Sequence, residues 1–329
     1  MNKKNPILKI HTFFRTTAFE KVKVVLLFFP AFIFLIISFI TFSLSVQIKN
    51  ESKKLKLPPQ LFSSYHPAAY PMLENAFYIK TAILPSLSAK GVVVMDSNSK
   101  VILLSKNMQT QFSMASTTKI MSALVALDYY KPTDTLTIQS VNSPPAVVGY
   151  ALGEEVRFID ILYGMMLPSG NDAALTVAQN YHGGVNEFIS EMNKKARKLS
   201  LSHTHFSDSS GLDDVGDYTT VLDLAWLASE AIKNPLLADV VSTKQKLTTN
   251  VDNTKPYYLT NINELLGKYG VNGVKTGFTP QAGGVLVTSA DQGGHIVIIV
   301  IMKSEDRFRD TEKILSALNG NITYLSILP

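Results

Sequence analysis

The chain of 329 residues contains no cysteine, which excludes disulfides, thiol nucleophiles and thiolate metal ligands. Its six histidines (His11, His66, His182, His203, His205 and His295) include no His-Glu-x-x-His pair. His203 with His205 has no further ligand at a metal-binding spacing, so neither a metal nor another cofactor is expected. A basic surplus is missing from most of the chain as well. Residues 1–23 hold Lys3, Lys4, Lys9, Arg15, Lys21 and Lys23 against Glu20, which alone accounts for the formal net charge of +5. The remainder is formally neutral, and no nucleic-acid partner is expected. No internal repeat is visible.

Charge is absent altogether from residues 24–46, an apolar run of 23 residues. At about 1.5 Å per residue such a run crosses a hydrocarbon core of ~30 Å as a transmembrane helix. The basic segment 1–23 before it keeps the N-terminus cytoplasmic and sends the rest of the chain outside the cell membrane. Ser43 and Ser45 are small residues of the kind a signal peptidase accepts, but signal peptides have an apolar core of only about 7–15 residues, and an uncleaved single-pass anchor is expected. Pro30 is tolerable in a membrane helix. Residues 47–88, with Lys53, Lys54 and Lys56 followed by Pro58, Pro59, Pro67, Pro71 and Pro85, show no sustained period and read as an extracytoplasmic linker. Residues 89–329 remain, enough for one α/β core.

Three short motifs stand out in that region: Ser116-Thr117-Thr118-Lys119, Ser169-Gly170-Asn171 and Lys275-Thr276-Gly277. Each alone is weak, because Ser-x-x-Lys also occurs at Ser97 to Lys100, and Ser-x-Asn at Ser105 and Ser140. Context separates them. Residues 96–100 form a polar cluster between two apolar runs, which predicts a hairpin turn with Ser97 and Lys100 facing water. Ser116 instead opens a segment in which Ile120, Met121, Leu124, Val125 and Leu127 recur at helical spacing. On a helix, positions i and i+3 share a face.

A serine hydroxyl is a poor nucleophile until an adjacent base takes its proton, and a lysine one turn away can reach it. Lys119 must then be neutral, which calls for burial and a second cation nearby; Lys275 is the candidate. The bland alternative is a solvated helix start, with Ser116 as N-cap and Lys119 on the surface. Ser169 to Asn171 follows an apolar helical stretch ended by Pro168 and precedes another, so it lies in a helix-to-helix loop. There Ser169 can relay a proton to a leaving amine, and the Asn171 amide can hold a peptide bond and Lys119. Lys275 lies on a predicted strand followed by two more, an antiparallel meander with turns near 281–283 and 291–294. Lys275 offers charge, Thr276 a hydroxyl donor to a substrate carboxylate, and Gly277 the missing side chain where a substrate lies against the strand. A phosphate loop needs glycine directly before Lys-Thr, and Val274 stands there.

Longer segments carry a resemblance. Met114 to Met121, Leu167 to Ala174, Asp208-Ser209-Ser210-Gly211-Leu212, Tyr218-Thr219-Thr220 before Asp223, and Val274 to Thr279 with Ala282-Gly283 resemble the signatures of D-alanyl-D-alanine carboxypeptidases, the low-molecular-weight penicillin-binding proteins of serine peptidase family S11. The resemblance implies an α/β (α+β) fold of the β-lactamase/transpeptidase type, an antiparallel sheet flanked by helices plus a helical lobe. It implies removal of the terminal D-Ala from peptidoglycan stem peptides, outside the membrane on the cell-wall side. Ser116 is then the nucleophile and Lys119 the general base, with Ser169, Asn171 and Lys275 completing the proton network. Thr276, Gly277 and Phe278 line the substrate, and the N–H groups of Ser116 and Phe278 form the oxyanion hole.

β-Lactams are implied as covalent inhibitors. A β-lactamase adds a glutamate, followed three residues later by asparagine, that activates deacylating water. The acids between Lys119 and Ser169 are Asp128, Asp134, Glu154, Glu155 and Asp160, none with Asn at that offset, so slow β-lactam turnover is expected. Cleavage of D-Ala cross-links by an endopeptidase, and a membrane-tethered module that binds stem peptides without turnover, are the alternatives. Arg307 and Arg309 read as surface residues of a last helix near 305–318, with binding of the terminal carboxylate by one of them as the alternative, and Asp208, Asp213 and Asp214 as turn formers. Many members of the family carry a β-rich C-terminal domain and an amphipathic anchoring helix. This chain stops at Pro329, and the N-terminal span is expected to take over attachment.

Overall fold

The computed structural model describes residues 86–141, 146–212 and 215–322. The expected basic N-terminus, transmembrane span and most of the linker lie outside the described residues. No described helix is long and apolar enough to cross a membrane.

Five antiparallel strands form the central sheet: β1 (Gly91–Asp96), β2 (Ile102–Lys106), β9 (Val271–Thr279), β10 (Gly283–Asp291) and β11 (Ile296–Ser304), in the order β2-β1-β11-β10-β9. The meander anticipated from the turn signals is β9-β10-β11, with Lys275 opposite Val287 and Gly277 opposite Val285. Of these, β10 and β11 hold apolar runs rather than alternating patterns because both of their faces are covered. On one face, Leu286, Ile299 and Ile301 pack with Ile314 and Leu315 of the C-terminal helix α7 (Arg307–Leu318). On the other, Val285, Val287, Ile298 and Val300 join the core of a helical lobe. Asp306 caps α7 by accepting the Arg309 N–H at 3.0 Å, the local reason the helix starts there.

The helical lobe is built round α1 (Lys119–Tyr129), whose residues from Lys119 to Ala126 are all buried. A helix apolar on every side belongs in an interior. Around it lie α2 (Phe158–Met166), α3 (Asn171–Asn180), α4 (Gly184–Lys198) and α5 (Val221–Ala231), with α6 (Pro235–Ser242) against β9. Three small two-stranded ribbons complete the fold: β3 (Gln111–Ser113) with β6 (Tyr218–Thr220), β4 (Thr135–Thr137) with β5 (Glu155–Arg157), and β7 (Gln245–Thr249) with β8 (Pro256–Thr260).

Two local expectations need correction. The hairpin turn between β1 and β2 is present, but Ser97 and Lys100 do not face water. Ser97 is buried and its Oγ lies 2.9 Å from Ser229 Oγ. Lys100 Nζ bonds the same Ser229 hydroxyl, sits 5.3 Å over the Trp226 ring and lies 3.7 Å from Glu230. The cause is α5, which lies against β1 and covers the turn. The second correction concerns Ser116, which is not the first residue of an α-helix: a 3-10 turn (Ala115–Thr118) precedes α1. Ser116 makes no capping bond, and the surface reading of Lys119 is excluded by its complete burial.

Candidate active site

The 3-10 turn is where the sheet meets the helical lobe. Thr117 Oγ1 donates to Met114 O at 2.6 Å, which closes the turn, and Ala115 takes a positive φ of 47°. With three residues per turn, a 3-10 turn eclipses positions i and i+3 and so places Ser116 above Lys119, the first residue of α1. Lys119 Nζ lies 3.0 Å from Ser116 Oγ, 2.7 Å from Asn171 Oδ1 and 2.7 Å from the main-chain oxygen of Ser210. Lys119 is fully buried, whereas Ser116 is partly exposed.

Burial lowers the Lys119 amine from its ordinary 10.5 to about 7, against the opposing pull of Asp208, Asp172 and Asp217. The expected second cation has a different effect. Lys275, also fully enclosed, is pushed well down by burial first, then by Lys119 and Arg307. The lowering at Lys119 thus comes from desolvation rather than from Lys275.

Asn171 opens α3, and its N–H donates to Ala146 O at 2.8 Å. The neighbouring Asp172 carboxylate accepts the N–H groups of Val148 and Gly149 at 2.9 Å, which ties this loop to the helix start. Ser169 is buried with a positive φ of 69°. Among the described residues it makes no hydrogen bond to Ser116, Lys119 or Lys275, so Asn171 is brought onto the lysine and Ser169 is not.

On β9, Lys275 and Gly277 share the face towards Ser116, and Lys275 Nζ donates to Thr276 O at 3.0 Å. A Cβ on Gly277 would stand 3.1 Å from Ser116 N and 3.2 Å from Met114 O. Glycine is therefore needed here so that the strand can pack against the nucleophile's own turn, not only to admit a substrate. Thr276 and Phe278 point to the other face, opposite Leu286 and Gly284; Phe278 is 62% exposed. A Cβ on Gly284 would stand 3.3 Å from Arg307 Cβ, so Arg307, taken from sequence as a surface residue, belongs to this corner. Among the described residues Thr276 Oγ1 and Arg307 Nε are buried without partners.

Ser210 O lies in the segment 208–212 that carries part of the family resemblance, but nothing in that segment singles out the carbonyl. Asp208 folds the segment by accepting the N–H of Ser210, of Gly211 at 2.6 Å and of Leu212 at 2.9 Å. The structural role expected of Asp208 is thus met, and its result is a carbonyl aimed at Lys119. Among the described residues no three His, Asp or Glu side chains are grouped to hold a metal ion.

The family profile described as D-alanyl-D-alanine carboxypeptidase, peptidase S11, matches residues 79–306. The D-alanyl-D-alanine carboxypeptidase of Streptomyces sp. (strain K15) is 35% identical over 254 residues, covering 70% of this chain and 87% of the relative. The D-alanyl-D-alanine carboxypeptidase DacF of Bacillus subtilis (strain 168) is 34% identical over 222 residues, covering 65% of this chain and 57% of DacF. The chain therefore spans little more than half the length of DacF. The crystal structure of the Streptomyces K15 DD-transpeptidase superposes with a TM-score of 0.67 at 34% identity, covering 71% of this chain and 98% of that one.

Proposed function

The chain belongs to the D-alanyl-D-alanine carboxypeptidase family of serine peptidases, and from that premise we propose that it removes the terminal D-Ala from peptidoglycan stem pentapeptides through an acyl-enzyme on Ser116, and that penicillin inhibits it by acylating the same hydroxyl. The observation that carries this reading is the trio of contacts at Lys119 Nζ. A neutral amine has two N–H bonds and one lone pair. Ser210 O and Asn171 Oδ1 can only accept, so they take the two N–H bonds. The lone pair is left for Ser116 Oγ–H.

Ser116 Oγ attacks the carbonyl carbon of the penultimate D-Ala as its proton passes to Lys119 Nζ. Negative charge develops on the carbonyl oxygen, towards the N–H groups of Ser116 and Phe278; each such donor is worth a factor of about 100–1,000 in rate. The C–N bond then breaks, D-Ala leaves with the proton held on Lys119, and an ester remains on Ser116. Ser169 is the hydroxyl that the motif spacing offers to relay that proton. Water repeats the sequence on the ester and releases the shortened peptide. Thr276 and Arg307 are the donors for the substrate's terminal carboxylate where the peptide runs along the edge strand β9: their hydroxyl and guanidinium nitrogen are unpartnered among the described residues and are groups an anion would satisfy.

The basic segment 1–23 and the uncharged run 24–46 support placing this chemistry outside the cell membrane, tethered by a single span. The test is D-alanine release from a pentapeptide ending in D-Ala-D-Ala. Wild type should release one equivalent per peptide and Ser116→Ala none. Release by Ser116→Ala at the wild-type rate would end the proposal.

A further inference from the structure

Asp217 is a buried carboxylate that the reaction above does not use. Its two oxygens face two different segments. Oδ2 accepts the Thr118 hydroxyl at 2.8 Å, and Thr118 lies between the nucleophile and its base. Oδ1 accepts the Ser207 N–H at 2.6 Å, the Ser207 hydroxyl at 3.0 Å and the Asp208 N–H at 3.4 Å. Segment 207–212 is the run that presents Ser210 O to Lys119. The same run is pressed under the 3-10 turn, where a Cβ on Gly211 would stand 1.8 Å from Ala115 O and 2.8 Å from Thr118 Oγ1. Ser122, one turn further along α1, donates to Ser209 O at 2.7 Å.

We propose that Asp217 is a positioning residue for the acylation step: by gripping Thr118 with one oxygen and Ser207 with the other, it fixes the nucleophile's turn against the loop whose carbonyl orients the Lys119 lone pair. The inference rests on the reading of Lys119 as general base. The distance of Ser210 O from Lys119 Nζ depends on two segments nearly a hundred residues apart keeping their register, and Asp217 is the side chain bonded to both. Both oxygens act as acceptors, which a neutral amide with its single acceptor oxygen does not reproduce, and a carboxylate does something more. Its negative charge adds to those of Asp208 and Asp172 in favouring the protonated state of Lys119. The groups facing Asp217 are Asp208 from the loop, Thr118 and Lys119 from the turn and α1, and Ser207; burial and Asp208 hold its own acid up at about 6. His205, on the neighbouring bridge to Tyr218, directs Nδ1 to Gly216 O at 3.0 Å instead.

The experiment is a double-mutant cycle on the full-length protein in detergent, with Asp217→Asn, Thr118→Val and both together. Acylation by a chromogenic β-lactam and D-Ala release are followed from pH 5 to 9. Each single substitution should lower kcat about tenfold with KM unchanged, as expected when a reacting pair is misplaced while substrate binding stays intact. The double variant should be no more than about threefold worse than the poorer single one, because both remove one connection. In Asp217→Asn the acid limb of the pH profile should move to lower pH. A residue of purely structural importance would lower the folded fraction without moving that limb. Effects that multiply to about a hundredfold, or a limb that stays in place, overturn the proposal. If Asp217→Asn fails to fold, Thr118→Val decides alone, since wild-type kcat in that variant contradicts the proposed grip. A wild-type enzyme with no acid limb near neutrality would instead sink the base assignment on which this inference stands.

Discussion

Gly277 lies so close to Ser116 that a Cβ at position 277 would stand 3.1 Å from the Ser116 nitrogen, a proposed oxyanion donor. The strand and the nucleophile's turn are thus in backbone contact, and their spacing sets where the substrate carbonyl sits. Gly277→Ala should push them apart by a few tenths of an ångström. Overpacking of this kind costs about 1–3 kcal/mol of stability, and small misplacements of reacting groups can cost about a hundredfold in rate. Thermal melts and acylation rates of the folded variant measure the two effects separately.

Acylation should rise with pH through about 7 and then level, because Lys119 accepts a proton only when neutral. The same depression has a stability consequence. The folded state holds fewer protons on Lys119 than the unfolded state between about 7 and 10.5, so this group's contribution to stability falls as pH is lowered through that window. Lys119→Met removes the dependence. Denaturant midpoints of the two proteins should therefore differ in slope between pH 7 and pH 10, and parallel curves would show that Lys119 is not desolvated.

Arg307→Gln should reduce kcat/KM for peptides with a free C-terminal carboxylate by about 10- to 100-fold and have little effect on the corresponding amides. The basis is the pair of unpartnered buried groups, Thr276 Oγ1 and Arg307 Nε, beside the lowered amine of Lys275. Equal losses on acid and amide would place the arginine's effect in folding rather than recognition.

The second Ser-x-x-Lys makes a useful control. Ser97→Ala should leave the rate of penicillin acylation unchanged, since Ser97 is buried against Ser229, at the turn between β1 and β2 rather than on β9. It should lower the melting temperature, because a buried hydroxyl pair is deprived of one partner, typically worth about 1–3 kcal/mol.

These cases show what was legible in the sequence and what was not. The meander, the hairpin at 96–100 and the loop before Asn171 were visible because turn residues and periodicity are local signals. The Ser116 and Lys119 pairing was visible because one helical turn joins them. Ser210 O was hidden because a main-chain carbonyl has no residue type of its own. The Thr118 and Asp217 hydrogen bond was hidden because nothing local links positions 99 apart. The demand for glycine at 277 made by Met114 to Ser116 was hidden for the same reason, since those residues lie far away in the chain. Ser97 and Lys100 were misplaced towards solvent because the helix covering their turn begins more than a hundred residues later. Arg307 read as decoration because its burial depends on how α7 lies over β10.

The central claim is that Ser116 is the acylated residue, and intact-mass spectrometry of the protein after exposure to penicillin tests it most directly. Wild type and Ser97→Ala should each gain the mass of one penicillin, stable over hours, and digestion should place it on the peptide containing Ser116, while Ser116→Ala gains none. An adduct of equal yield on Ser116→Ala, or no adduct on folded wild type, would contradict the account.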